Sequence, residues 1–192
     1  MVKRLRQAIN FGNSFMAKIK DPYLLTPGPL TTSVATKTAM LHDWGSRDHA
    51  FIETVARVQK RILDIADAHD THVCVPLQGS GTFVVEATLG TLIPKSGKAL
   101  VIINGAYGDR MTEMLDIMGR KYETYKTAED VPPDTSQIEK ILSMDTTITH
   151  VAAVYCETTS GILNPIEKIA AAVEKQGRSL LIDAMSAFGA LP

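Results

Sequence analysis

The chain has little that would tie it to a metal, a membrane or a nucleic acid. Its 192 residues hold only two cysteines, Cys74 and Cys156. They have neither the density of a disulfide framework nor the spacing of metal ligands. Both lie in apolar stretches that read as buried strands, which predicts a reducing, cytoplasmic setting and no metal site. A net charge of −1 gives no bulk attraction for nucleic acid. No apolar run is long enough to span a bilayer, so neither nucleic acid nor membrane is an expected partner. Internal repeats and low-complexity segments are absent. No lysine follows Asp183.

What is present is ordinary for a globular protein: 45% apolar and 21% charged residues, in a chain long enough to bury a core. The first twenty residues stand apart, with Lys3, Arg4, Arg6, Lys18 and Lys20 and no acid before Asp21. They read as an N-terminal arm (residues 1–22), with an organellar transit peptide as the alternative; a secretory signal does not fit, since no continuous apolar region follows the basic residues.

Beyond the Thr26-Pro27-Gly28-Pro29 stretch, apolar residues from Phe51 to Ala66 recur at helical spacing, which predicts an amphipathic helix over 48–69. The chain then alternates. Strands are expected at 73–77, 99–103, 121–125, 150–155 and 179–182. Helices are expected at 81–92, 107–118, 135–143 and 165–176. Continuous apolar strands alternating with helices imply an α/β fold, a mostly parallel sheet with helices on both faces.

Two motifs carry chemistry. Gln78-Gly79-Ser80-Gly81-Thr82 lies between an expected strand and an expected helix. Its glycines allow close backbone approach. The N–H groups of Gly81 and Thr82, with Phe83 as a third candidate, would be free at the helix start, where the helix dipole favours an anion. The Ser80 and Thr82 hydroxyls add donors. A phosphate monoester fits this turn, and so does a plain capped turn. A Walker loop does not, for want of its lysine, and the dinucleotide pattern is absent. Asp183 follows Leu180-Leu181-Ile182 at the C-terminal end of a strand, the edge at which open α/β sheets bind ligands. A buried carboxylate needs a cation or several donors, so Asp183 is either ligand-facing or a structural cap.

Six segments in order resemble the class V aminotransferases of the pyridoxal-phosphate superfamily. They are Leu24 to Ser33, Ala39 to Gly45, Leu77 to Thr82, Asn104 to Gly108, Cys156 to Pro165 and Asp183 to Gly189. The resemblance implies pyridoxal 5′-phosphate as cofactor, with Ser80, Gly81 and Thr82 on its phosphate. It implies Tyr107 stacked on the pyridine ring, Thr158 near the phenolic oxygen, Asp183 paired with the ring nitrogen, and Thr26, Pro27 and Gly28 facing the substrate.

The family also implies a small-molecule amine and pyruvate as substrates, the amine bearing a phosphonate, and action as a homodimer. An alanine– or serine–glyoxylate aminotransferase and a catalytically inactive fragment are the alternatives. Residues 23–192 would be part of the cofactor-binding large domain. The Schiff-base lysine, the substrate-gripping arginine and a small C-terminal domain would lie beyond Pro192.

Overall fold

The structure, a computed structural model, describes residues 21–190. Most of the expected N-terminal arm, residues 1–20, lies outside them. The chain divides into two compact units, Met1–Gly45 and Ser46–Pro192.

In the first unit, Thr31 Oγ1 accepts from Leu24 N–H at 2.7 Å and donates to the Pro22 carbonyl at 3.1 Å. Thr26 Oγ1 donates to the Pro29 carbonyl at 3.0 Å, closing the Thr26–Pro29 turn. A short helix not anticipated from sequence, α1 (Val34–Ala39), starts at Ser33, whose Oγ accepts from Thr36 N–H. This is the ordinary N-cap arrangement.

The second unit begins with α2 (His49–Ile65). Asp67, in the left-handed region at φ 47°, turns the chain away soon after its end, four residues short of the expected boundary. Its apolar stripe is largely uncovered, with Ile52, Val58 and Ile65 exposed. Residues 73–77 then form no strand and pair with none among the described residues. This corrects the expected strand. Val73 and Val75 are 85% and 68% exposed, and Gln59 Nε2 holds the segment by one bond to the Cys74 carbonyl, 2.9 Å. Branched apolar residues favour extended backbone, but a strand also needs a neighbour's donors and acceptors. Cys74 and Cys156 are half-buried rather than buried.

From α3 (Gly81–Leu92) onward, the alternation is as expected: β1 (Lys98–Ile103), α4 (Ala106–Ile117), β2 (Lys121–Lys126), α5 (Thr135–Met144) and β3 (Ile148–Val154). A small hairpin follows, two residues to a strand, β4 (Cys156–Glu157) with β5 (Ile162–Leu163). Then come α6 (Ile166–Lys175) and β6 (Ser179–Asp183). The four longer strands form one parallel sheet in the order β2-β1-β3-β6.

Side-chain alternation splits the core into two layers. Ala99, Val101 and Ile103 pack with Leu89 and Ile93 of the α3 end and Met111 and Leu115 of α4. Leu100 and Ile102 pack with Ile138 and Leu142 of α5 and Ile169 and Val173 of α6. A register shift between Lys98 and Ala99 leaves Thr149 as an extra residue on β3. It lets Ile148 and Val151 face the same layer despite their odd spacing.

The chain leaves β1 toward β2 across one face, and returns over β1 to β3 across the other. Right-handed crossovers in opposite directions put α4 and α5 on opposite faces. The strand order therefore reverses between β1 and β3, and a crevice is expected beyond their C-terminal ends.

Candidate functional site

The turn before α3 is specified residue by residue. Gly79 has φ 134°, and a Cβ there would lie 3.0 Å from the Phe83 ring, so backbone and packing both require glycine. Ser80 is the N-cap, its Oγ accepting from Phe83 N–H at 3.2 Å. That bond takes up one of the donors expected to face a ligand and removes Phe83 from the list. Gly81 and Thr82 remain as the first helical residues, with N–H groups that have no acceptor within the helix, at its positive end.

A cavity of about 120 Å³ lies against this turn, lined by Gly81, Thr82, Tyr107, Arg110, Asp183 and Met185 among others. A second, of about 290 Å³, shares Gly81, Asp183 and Met185 and continues over the apolar Val84, Leu89 and Leu181. Tyr107 is half-buried in the first turn of α4. Asp183 ends β6, where its carbonyl accepts from Tyr155 N–H at 2.8 Å and its Oδ1 from Met185 N–H at 3.0 Å. These bonds fix the carboxylate where both cavities meet the end of the strand.

Of the residues singled out from sequence, Gly81, Thr82, Tyr107 and Asp183 line one cavity, with Ser80 capping its turn. Thr158 lines neither. It sits in the turn after β4, where its hydroxyl shares a 2.5 Å hydrogen bond with that of Ser186, joining the loops that follow β3 and β6. Thr26, Pro27 and Gly28 belong to the other compact unit.

Contacts across long sequence separations add residues that the sequence alone does not single out. Arg110 Nη1 donates to Thr82 Oγ1 at 3.3 Å, and its guanidinium lies 5.1 Å from the Tyr107 ring centre. Its place three residues after Tyr107 is the one signal that could have found it. Glu157 is fully buried, with Oε1 accepting from Thr159 Oγ1 at 3.0 Å and Oε2 unpartnered among the described residues. A Cβ on Gly105 would overlap Glu157 Cγ, so the strand-end glycine makes room for this acid. Asn104 and Asn164, both 2% exposed, are bonded to each other at the same edge.

Such a cavity suits a small ligand with an anion at the α3 turn and a hydrogen-bond donor for Asp183. A phosphorylated pyridine with a protonated ring nitrogen has both. The residues present fit that group, and among the described residues no lysine lines either cavity.

Comparison with known proteins gives three results. The family model for aminotransferase class-V matches residues 32–192. Curated relatives include 2-aminoethylphosphonate–pyruvate transaminases of Pseudomonas putida, 54% identical over 171 residues (89% of this chain), and of Pseudomonas aeruginosa, 53% identical over 172 residues (90%). In each case this chain spans under half of the relative's length, 46%. Among solved structures, an alanine–glyoxylate aminotransferase from Nostoc sp. superposes with a TM-score of 0.82 at 22% identity, over 91% of this chain and 47% of that one. Pyridoxamine–pyruvate aminotransferase from Mesorhizobium loti gives 0.80 at 22%, over 91% and 44%. These last two are likenesses of fold.

Proposed function

The chain belongs to the class-V aminotransferase family, and from that premise we propose that it holds pyridoxal 5′-phosphate for transfer of an amino group from 2-aminoethylphosphonate to pyruvate. The products are phosphonoacetaldehyde and alanine. The amine nitrogen ends on the keto carbon of pyruvate, and the carbon that bore it becomes an aldehyde. The observation that carries this reading is the convergence of Gly81, Thr82, Tyr107 and Asp183 on one cavity, together with the 54% identity to a transaminase so named.

The roles follow from the chemistry of each group. Gly81 and Thr82 N–H, with the Ser80 and Thr82 hydroxyls, hold the phosphate at the start of α3. Tyr107 presents its ring to the pyridine. Asp183 keeps the ring nitrogen protonated by pairing with its N–H. When bound, the cofactor would supply an electron sink for negative charge at the substrate's amine carbon. Thr158, oriented by Ser186, would bond to the phenolic oxygen. Residues 23–192 make up part of the cofactor-binding large domain, after an arm of 22 residues. The protein works as a homodimer in the cytoplasm, readings supported by the exposed Met185 and Phe188 beside β6 and by two free cysteines.

Proton transfer at the substrate carbon and covalent anchoring of the cofactor both call for a lysine. With none in the cavity lining among the described residues, a second reading is favoured for the 192-residue chain by itself: a binding piece without turnover. One experiment separates the two. The chain is titrated with pyridoxal 5′-phosphate, reduced with borohydride and mapped for labelled lysines. It is then assayed for alanine formation from 2-aminoethylphosphonate and pyruvate, alone and fused to the remaining half of the Pseudomonas putida transaminase. Saturable binding, no single labelled site and turnover only in the fusion are expected. Failure to bind the cofactor would overturn the cofactor assignment. Equal turnover in the fusion when glyoxylate replaces pyruvate would overturn the substrate assignment in favour of the glyoxylate aminotransferases.

A further inference from the structure

Arg110 stands where three features of the cavity meet. It lies three residues beyond Tyr107 on α4, and so on the same face of the helix. Its guanidinium is 5.1 Å from the Tyr107 ring centre, within the range of a cation–π contact. Its Nη1 donates to Thr82 Oγ1 at 3.3 Å, reaching a residue on another helix. Arg110, Thr82, Tyr107 and Asp183 all line the 120 Å³ cavity.

The electrostatic surroundings leave this charge available. Asp109, its neighbour in sequence, is committed to Lys126 Nζ at 2.9 Å. Among the described residues no ion pair joins Arg110 to Asp183 or to any other acid. The cavity therefore keeps a cation beside the positive end of α3 and a separate carboxylate on β6. A planar guanidinium with further N–H groups beyond the one on Thr82 can bind an anionic oxygen without giving up its contact with the tyrosine.

We propose that Arg110 selects the phosphorylated form of the ring ligand. It adds a charge-assisted hydrogen bond to a phosphate seated on Gly81 and Thr82, and it braces the Tyr107 ring against which the pyridine lies. The proposal rests on the cofactor reading above, and it assigns the discrimination between phosphate ester and free alcohol to one side chain outside the glycine turn.

Pyridoxine 5′-phosphate and pyridoxine make a clean pair of probes, because neither carries an aldehyde that reacts with surface lysines. Affinities for the 192-residue chain are measured by equilibrium dialysis, with circular dichroism to check folding. The wild-type chain is expected to prefer the phosphate ester; no preference would sink the cofactor reading itself. Given that preference, Arg110→Met should weaken the phosphate ester about tenfold, as expected for one charge-assisted bond, and change pyridoxine by no more than about twofold. Its affinity for the ester should also fall less steeply with added NaCl than the wild type's. Arg110→Lys should recover part of the loss, since it keeps the charge and gives up the fork. Equal weakening of both probes, or no change in their ratio, would show a merely structural arginine and overturn the proposal. If Arg110→Met does not fold, the ratio in Arg110→Lys decides: unchanged, it refutes the proposal; reduced, it supports it.

Discussion

Asn104 and Asn164 exchange two hydrogen bonds, each side-chain amide donating to the other's carbonyl at 2.8 and 3.1 Å. They are 60 residues apart in the chain, and Asn164 Nδ2 also donates to the Val154 carbonyl at 2.8 Å. The pair clasps the end of β1 to the end of β3 and to the entry of α6, at the point where strand order reverses. Burying two amides is tolerable because each satisfies the other.

Asn164→Ala should therefore cost more than the loss of one bond. It strands the Asn104 amide and removes a donor from Val154, and a buried unsatisfied polar group costs about 1–3 kcal/mol. A loss of about 3 kcal/mol is expected in urea unfolding. Asn104→Ala in the Asn164→Ala background should cost much less than it does alone, since its partner is already gone. Additive effects in that cycle would show that the two amides do not act as a unit.

Gly105 and Glu157 form a second clasp at the same edge. The overlap of a Cβ at Gly105 with Glu157 Cγ cannot be relieved by a small shift, because Glu157 is fully buried. Gly105→Ala is expected to destabilise the fold by about 1–3 kcal/mol, the range typical of overpacking, read as a lower urea midpoint. Adding Glu157→Ser, which removes the atoms in conflict, should restore part of the loss. A Gly105→Ala chain as stable as the wild type would refute this packing.

Much of this architecture was legible in the sequence, and the exceptions have physical causes. The span 81–92 was readable as a helix because a glycine turn and a capping serine mark its start. The hairpin Cys156–Glu157 with Ile162–Leu163 was not, since two-residue strands carry no periodicity. Val73–Leu77 misled because composition reports a preference for extended backbone and says nothing of a pairing partner. At the site, Gly81, Thr82 and Asp183 stood out because each lies in a local motif, and Tyr107 only through the family resemblance. Arg110, Glu157 and the asparagine pair act through contacts between distant segments, which one sequence does not display.

At the opposite edge of the sheet, the start of β1, Lys98 Nζ lies 2.8 Å from Asp145 and 3.1 Å from Glu123. The bond from Lys98, then those from the Thr147 hydroxyl and N–H, lower the Asp145 carboxyl from 3.8 to about 2. A carboxyl depressed in the folded state contributes stability that is complete above its unfolded value, near 3.8, and disappears as pH falls through the folded value. Urea midpoints measured from about pH 5 down to about pH 2 should thus fall more steeply for the wild type than for Asp145→Asn. Parallel curves would remove Asp145 as a source of acid sensitivity.

Asp183→Asn isolates charge from shape at the cavity. The amide oxygen can still accept from Met185 N–H, as Oδ1 does at 3.0 Å, so the turn after β6 should keep its form and stability should change little. What is lost is the anion facing the ligand. A carboxylate paired with a ring N–H raises that nitrogen's proton affinity, whereas a neutral amide does not. Bound to the wild-type chain, pyridoxine 5′-phosphate should keep its ring nitrogen protonated to higher pH than in free solution, as read from its near-ultraviolet absorbance. Bound to Asp183→Asn it should titrate close to the free ligand, with affinity reduced about tenfold. A bound ligand that titrates identically in both proteins would place the ring nitrogen away from Asp183, and the orientation proposed for the cofactor would have to be reversed.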